Sequence, residues 1–305
     1  MTVLYDLLIV GGGPASFAAA IYGGRAGLAV HIVDEGAGGG QMALSPLVEN
    51  YPGYESIMGL ELTEKMMAHA MNYSTMETGY HVDEIITKDG LFLARGGNKE
   101  WKTRAVLLAT GAEHRKLNIP GEIEFYGKGV SYCATCDGFF FKDRDVLVIG
   151  GGDSALSEAR YLLSIGARVT VAHRRDEFRG EKANQDAFFK DGGKVLWNSQ
   201  AVAFLGDQGL TAVRLKNTKS KDESTFSVHG AFVAIGYNPK NELAKKMGLD
   251  LDDEGYIPVD IYQRTEINRV YAAGDITGGL KQVVTAVGQG AKAAMSVYND
   301  IKKMG

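Results

Sequence analysis

The feature that most constrains this chain is a duplication. Leu7 to Glu35 reads LLIVGGGPASFAAAIYGGRAGLAVHIVDE, and Val146 to Arg174 reads VLVIGGGDSALSEARYLLSIGARVTVAHR. The two align without a gap, so that Gly11 falls on Gly150 and Gly27 on Gly166. Each copy is a short apolar run, a glycine cluster, a helical stretch, a glycine and a second β-branched run. A short, continuously apolar run suits a parallel strand buried on both faces. A glycine placed as Gly27 and Gly166 are suits the left-handed residue that closes a helix. Each copy therefore predicts a βαβ unit, the half of a nucleotide-binding sheet.

Further echoes complete the two sheets. Val106–Gly111 (VLLATG) and Phe232–Gly236 (FVAIG) are apolar strands ending in glycine. A third, Val270–Asp275 (VYAAGD), precedes a helical stretch from about Gln282 to Lys302. The simplest architecture is α/β, with two Rossmann-like dinucleotide-binding domains, the second inserted into the first. The outer domain is expected over 1–116 plus 245–305 and the insert over 117–244.

Gly11-x-Gly13-x-x-Ser16 and Gly150-x-Gly152-x-x-Ala155 each follow a strand and open a helix. In that context the free amides and dipole of the helix N-terminus hold a pyrophosphate. Forty glycines in 305 residues, nearly twice average usage, sit in such clusters, where the backbone can approach phosphates. The repeat then acts as its own control. In the first copy the second strand ends in Asp34-Glu35, acceptors for ribose hydroxyls. The second copy has His173-Arg174 there, followed by Arg175 and Arg179, and guanidinium groups clamp a 2′-phosphate. The first site is expected to hold a dinucleotide with free ribose hydroxyls, such as FAD, and the second NADP. The blander reading of the arginines is a solvated surface cluster.

The only cysteines are Cys133 and Cys136, in Ser131-Tyr-Cys-Ala-Thr-Cys-Asp-Gly138. Two cysteines separated by two residues can close a disulfide within one turn, and proximity lowers a thiol pKa. A metal site would need two more soft ligands; His114 and His173 are available by composition, but nothing spaces them as a zinc site. Asp137 follows Cys136 and can move the proton of thiolate–disulfide exchange, or else cap the turn before Gly138. Phe139-Phe140-Phe141 reads equally as a partner-facing or flavin-shielding wall and as core packing.

A net charge of −4 gives no reason to expect nucleic acid or an anionic membrane. No apolar run approaches the roughly 18 residues needed to span a bilayer. The start, Met1-Thr2-Val3-Leu4-Tyr5-Asp6, has no basic n-region, so no signal peptide and a cytoplasmic location are expected.

Taken together the motifs resemble the low-molecular-weight, bacterial and archaeal type of thioredoxin reductase along essentially the whole chain. They are Gly11–Ala15, Gly39-Gly40-Gln41, Val48–Gly53 (VENYPG), Ala109-Thr110-Gly111, the dithiol block, Gly150–Ala155 (GGGDSA), His173–Arg179 (HRRDEFR) and Ala273-Gly274-Asp275 followed by Gln282. The dithiol and His-Arg-Arg blocks are specific, whereas the first glycine motif is shared by many flavoproteins. The resemblance implies the class II pyridine nucleotide-disulfide oxidoreductase fold, a homodimer, FAD in the outer domain, and NADPH and the dithiol in the insert. It further implies an insert that rotates about the crossovers near 116 and 244.

By this resemblance the FAD-binding residues are Gly11, Gly13, Pro14, Ala15, Asp34, Glu35, Gly40, Gln41, Asn50, Ala109, Thr110, Gly111, Gly274, Asp275, Gln282, Val283 and Ala286. Asp275 would bind the ribityl chain, and Gln282, Val283 and Ala286 would lie near the isoalloxazine. Gly152, Asp153, Ser154, His173, Arg174, Arg175, Arg179 and Gly236 would serve NADPH, and Cys133, Cys136 and Asp137 the chemistry. Cys136 would be the sulfur nearer the flavin. The implied reaction carries electrons from NADPH through FAD and the dithiol to the disulfide of thioredoxin, or of a thioredoxin-like or glutaredoxin-like protein.

The sequence departs from the commonest pattern at Lys281, where many relatives have arginine, at Ser16, and in the glycine-rich stretch before Gly39. No cysteine lies near the C-terminus, which does not suit the larger thioredoxin reductases. The alternatives are the same scaffold with another donor (ferredoxin, a deazaflavin) or another acceptor, a nucleotide-binding redox sensor, and a zinc-stapled binding module.

Overall fold

The computed structural model describes residues 3–45 and 48–302; the Met1-Thr2 start used in the signal-peptide reading lies outside them. The chain divides into two compact units, Met1–Glu113 with Asn238–Gly305, and His114–Tyr237. In chain order the outer unit begins with β1 (Leu4–Val10), α1 (Pro14–Arg25), β2 (Val30–Asp34), α2 (Gly40–Leu44), α3 (Gly59–Met71), β3 (Thr75–Thr78), β4 (Glu84–Lys88), β5 (Leu91–Gly96), β6 (Lys99–Leu108) and the crossing strand β7 (Ala112–His114). The inserted unit holds β8 (Val130–Ser131), α4 (Ala134–Asp137), β9 (Asp145–Gly150), α5 (Asp153–Ser164), β10 (Arg168–Ala172), α6 (Lys182–Lys190), β11 (Lys194–Leu196), β12 (Ser199–Gly206), β13 (Leu210–Asn217), β14 (Glu223–Ser227) and β15 (Gly230–Ala234). The return strand β16 (Tyr237–Pro239) leads to α7 (Glu242–Met247), β17 (Val270–Ala272) and α8 (Val283–Lys302).

The duplicated segments fold alike. In the outer unit β3, β2, β1 and β6 lie side by side in parallel, and β17 adds to β6 in parallel. The first half of β6 pairs instead with β5, antiparallel, which extends the sheet through the β4–β5 hairpin. The inserted unit has a parallel sheet in the order β11-β10-β9-β15-β8 and a separate antiparallel sheet β12-β13-β14. Leu7, Leu8 and Ile9 on β1, like Leu147 and Val148 on β9, are wholly buried, as a strand covered on both faces requires.

Helices α1 and α5 close identically. Gly27 and Gly166 take φ of +90° and +95°. Gly27 N–H donates to Gly24 O and Leu28 N–H to Gly23 O, and Gly166 and Ala167 repeat the pair on Leu163 and Leu162. This is the Schellman closure that a glycine at that place permits.

The crossings fall a few residues earlier than 116 and 244. Strands β7 and β16 pair with each other. On the inserted side Arg115 N–H donates to Gly236 O, and on the outer side Lys240 N–H donates to Gly111 O, both at 3.0 Å. That pairing sets where one unit ends and the other begins.

The core of the outer unit depends on close contact between α1 and α8, where Ala15, Ala19, Ala293 and Ala294 are buried. A Cβ on Gly290 would collide with the Ala15 carbonyl, whereas one on Gly288 would meet open space. Gly290→Val is expected to cost about 2–3 kcal/mol by forcing the helices apart, and Gly288→Ala to add about 0.5–1 kcal/mol through helix propensity. Urea unfolding of the two variants checks both signs.

Candidate active site

In the outer unit, β1 runs into a turn that only glycine can make. Gly11 has φ +103°, and a Cβ there would collide with the carbonyl of Ala109. Gly13 is the N-cap of α1, with Pro14 in the first helical position and no side chain capping the turn. A Cβ on Gly13 would meet open space. The first amides of α1 are thus left for a ligand, as a pyrophosphate site requires. Ser16, the departure from glycine or alanine, is buried, and its hydroxyl donates to Gly11 O. It tightens the turn from behind.

The two acidic residues at the end of β2 divide their work. Asp34 accepts the amide of Gly12 through Oδ2 (2.6 Å) and those of Gly36 and Gly38 through Oδ1 (2.9 and 3.1 Å). It organises both glycine loops and stays beside the nucleotide turn. Glu35 instead meets Lys240 Nζ at 2.8 Å and His81 Nδ1 at 3.0 Å. Hydrogen bonds from Lys240 first, then His81, hold its carboxyl below the usual range. Lys240 also meets Glu113 at 3.0 Å, and its backbone carbonyl accepts the hydroxyl of Thr110 at 2.7 Å. Sequence reasoning missed Lys240, which closes a bond to a residue 205 positions away.

The remaining outer-unit candidates gather at the C-terminal edge of the sheet. Ala109 N–H donates to Val10 O, and Gly111 follows with φ +75°. Gly40 and Gln41 open the short α2. Asn50 Nδ2 donates to Gln282 Oε1 at 2.9 Å, joining two candidates that lie 232 residues apart. Gln282 immediately precedes α8, where Val283 is half-buried and Ala286 buried. Gly274 follows β17 at φ +83°, and its N–H is held by Gln289 Oε1 at 2.7 Å. Asp275 comes next. Burial pushes its carboxyl up to about 6, against a lowering by Lys281, whose ammonium lies 4.6 Å from the Tyr256 ring centroid.

In the inserted unit, Gly152 is the N-cap of α5, again without a side-chain cap and with open space where a Cβ would be. Asp153 and Ser154 at the helix start are exposed. Asp153 Oδ1 accepts Glu181 N–H (2.8 Å) and Asn184 Nδ2 (2.7 Å), which anchors the start of α6. The chain between β10 and α6 returns to the glycine turn through Arg179 N–H on Gly151 O, 2.8 Å.

Arg174, Arg175 and Arg179 are exposed, and among the described residues none of their guanidinium groups has a carboxylate partner. His173 does not join them. It is 5% exposed, its ring packed under Gly151 and against Phe178 and Trp197, and burial pushes its pKa down. The ring of His173 thus turns inward and supports the turn from beneath. Gly236, φ +101°, closes the end of β15.

Cys133 and Cys136 are joined in a disulfide at the head of α4, their Cα atoms 5.3 Å apart. The amides of Cys136 and Asp137 both donate to Cys133 O. Asp137 accepts Ser131 Oγ at 2.6 Å, and the same Oγ accepts Cys133 N–H at 3.0 Å. Ser131 thus ties the carboxyl to the backbone of the first cysteine. Nearby, Tyr126 has its ionisation pushed up by burial and then by the Asp137 charge. Tyr132, before the dithiol, donates to buried Glu122 at 2.7 Å, and Glu122 also accepts the amides of Leu117 and Asn118. The Phe139–Phe141 run splits: Phe141 packs on Phe232, while Phe139 and Phe140 are 69% and 48% exposed. Among the described residues no group of three or more His, Cys, Asp or Glu is placed to hold a metal.

Two uncapped helix starts on parallel sheets and a disulfide on a short turn match one family. The model of the pyridine nucleotide-disulphide oxidoreductases covers residues 5–290. The chain belongs to this family. It is 41% identical to the thioredoxin reductases of Listeria monocytogenes and Bacillus subtilis, over 99% of this chain and 95% and 96% of theirs. Its structure is similar to that of thioredoxin reductase from Streptococcus pyogenes, with a TM-score of 0.93, 38% identity, and coverage of 99% of this chain and 100% of that one. Thioredoxin reductase from Giardia duodenalis gives a TM-score of 0.92 at 33% identity, over 98% and 99% of the two chains. The resemblance drawn from the motifs is therefore met across the full length.

Asp275 yields a pH prediction. Its folded pKa lies above the ordinary carboxylate value of 3.8, so the folded state binds the proton more tightly. Stability is full below the ordinary value and falls as pH rises through about 6. In nucleotide-free protein Asp275→Asn is expected to remove that fall, adding roughly 1–3 kcal/mol above it. Urea unfolding of both proteins across that pH range checks it; parallel curves would place a solvated carboxyl there.

Proposed function

We infer that this chain is a thioredoxin-disulfide reductase, an NADPH-dependent flavoprotein that works through Cys133 and Cys136. The observation that carries this reading is the closed Cys133–Cys136 pair with Asp137 held on the same turn, in a chain 41% identical to thioredoxin reductases over its whole length. Those relatives favour NADPH and thioredoxin over another donor or acceptor on the same scaffold.

The open α1 turn, with Asp34 beside it, suits the pyrophosphate and ribose of FAD. Of the two acidic residues Asp34 is the ribose ligand, because it lies against the glycine turn through Gly12, whereas Glu35 is turned to Lys240 and His81. Asp275, Asn50, Gln282, Val283 and Ala286 stand ready for the flavin end. The open α5 turn takes the NADPH pyrophosphate, with Ser154 at its start, and Arg174, Arg175 and Arg179 take the 2′-phosphate. When bound, NADPH and FAD supply the two electrons that open the disulfide.

The protein's part is to place the sulfurs and to handle protons. Opening the S–S bond with two electrons and one proton leaves a thiol and a thiolate. Asp137, fixed by Ser131, gives and takes that proton at the sulfur pair. Exposed Phe139 and Phe140 beside the dithiol offer apolar surface to a thioredoxin-like partner. Leu44, Met58 and Leu60, also exposed, support a homodimer through the outer unit. Among the described residues no helix is long and apolar enough to cross a membrane. A dithiol that cycles suits the reducing cytoplasm, where we place the protein.

Stopped-flow reduction of the flavin is expected to be faster with NADPH than with NADH. Changing Arg174 and Arg175 to Ala should erase most of that preference, about 10- to 100-fold, by removing charge-assisted hydrogen bonds. Equal rates with both nucleotides in the parent protein would remove the phosphate clamp. Cys136→Ser should keep flavin reduction by NADPH and lose thioredoxin turnover; undiminished turnover would take the dithiol off the path.

A further inference from the structure

Behind the dithiol turn lies a carboxyl that the reaction as drawn does not use. Helix α5 packs against α4. The face it turns that way carries Ala155, Glu158, Leu162 and Ile165, at helical spacing. Ala134, the residue after Cys133, is buried in the same cluster as Ala155, Ala159 and Leu162. Leu162, Ile165 and Tyr161 abut the backbone of Gly138 at the other end of the turn. Glu158 is the polar member of this face. The backbone amide of Ala134 favours the charged form of its carboxyl, and its Oε2 is sealed from solvent with no partner among the described residues. A face that served packing alone would carry an apolar side chain here, since a sealed carboxyl oxygen without a partner costs stability.

We propose that Glu158 is a positioning residue of the dithiol whose charge is coupled, across the Ala134 amide, to the charge on the reduced sulfur pair. This rests on the dithiol being the electron relay. Reduction breaks the S–S bond with two electrons from the nicotinamide donor and leaves a thiol and a thiolate after one proton is taken up. With Glu158 ionised, two negative charges would share the α4–α5 contact, so a second proton is drawn in, to the carboxyl or to the sulfur. With Glu158 protonated, the thiolate stands unopposed and ready for exchange. Glu158 thereby sets the pH at which the reduced pair holds its charge.

The surroundings leave Glu158 sensitive to this coupling. Burial pushes its carboxyl up to about 7, against a lowering by the Ala134 amide, with no charged side chain among the causes. Most charged groups on the packed elements are engaged elsewhere. On α5, Asp153 holds Glu181 and Asn184, and Arg160 pairs with Asp191. On α6, Lys182 pairs with Asp186, while Lys190 lies in the last turn. Arg168 of β10 pairs with Asp145 of β9, and His173 beyond β10 faces Gly151. On α4, Asp137 is held by Ser131. Tyr161 abuts Gly138, and β15 and the Gly138–Phe141 turn carry no titratable side chain. The thiolate is the new charge that reduction brings.

Glu158→Gln tests this, because the side chain keeps its size and a polar oxygen while the charge is gone. Holoenzyme and variant are reduced with dithiothreitol, and the rate of alkylation by iodoacetamide is followed against pH. The variant's thiolate profile is expected to lie about one pH unit lower than the parent's, the size of one through-protein charge interaction. Superimposed profiles would overturn the proposal, as a cap without a charge role predicts. Should the variant fold poorly, 13C NMR of glutamate carboxyls in the parent holoenzyme decides instead. The Glu158 midpoint, near 7 with the disulfide closed, must rise on reduction; an unmoved midpoint rules the coupling out. Chemical reduction keeps this apart from the relay reading, which fails separately if NADPH releases no thiols.

Discussion

The structure depends on two helix starts that no side chain caps. At Gly13 and Gly152 the chain leaves a buried parallel strand and enters a helix with its first amides bare. Bare amides at an open turn are met by water until a ligand replaces it. Each turn is therefore braced from behind by groups that do not compete for those amides. Ser16 holds Gly11 and Asp34 holds Gly12 in the outer unit, and the buried ring of His173 packs under Gly151 in the inserted one. The two turns are stable because the back of each is satisfied while its front stays open.

The same logic governs the sulfur pair. Its turn is short, so α4 alone cannot hold the cysteines in register. Ser131 ties Asp137 to the Cys133 amide in front, and α5, which carries Glu158, packs against the turn from behind. Carboxyl groups thus flank the dithiol on two sides, one on the turn itself and one on the helix that backs it. A site that makes and discharges a thiolate needs nearby groups whose charge can answer it.

Much of this was legible in the sequence, because βαβ units advertise themselves through spacing. The paired glycines at 27 and 166, the strand–glycine echoes and the arginines at the end of β10 all follow from local pattern. What stayed hidden comes from contacts between distant segments. Lys240 reaches Glu35 only because β16 returns beside β7, and nothing around Lys240 in the sequence marks it. Glu158 sits in an unremarkable helical stretch, and its burial depends on where α4 packs. His173 was read with the arginines beside it, but the pocket formed by Phe178 and Trp197 takes its ring inward. The β12–β14 sheet and the β4–β5 hairpin, although Asp89-Gly90 marks the turn of the latter, lie outside the duplicated units on which the sequence reading rests.

The central claim is that a nicotinamide donor's electrons reach the Cys133–Cys136 sulfurs inside this chain. Anaerobic titration of the flavin-loaded protein with NADPH, followed by counting free thiols under denaturing conditions, measures this directly. Two new thiols for each chain are expected once the flavin has been reduced. A bleached flavin with the sulfur pair still closed under excess NADPH, or a protein that takes up no flavin, would contradict the account.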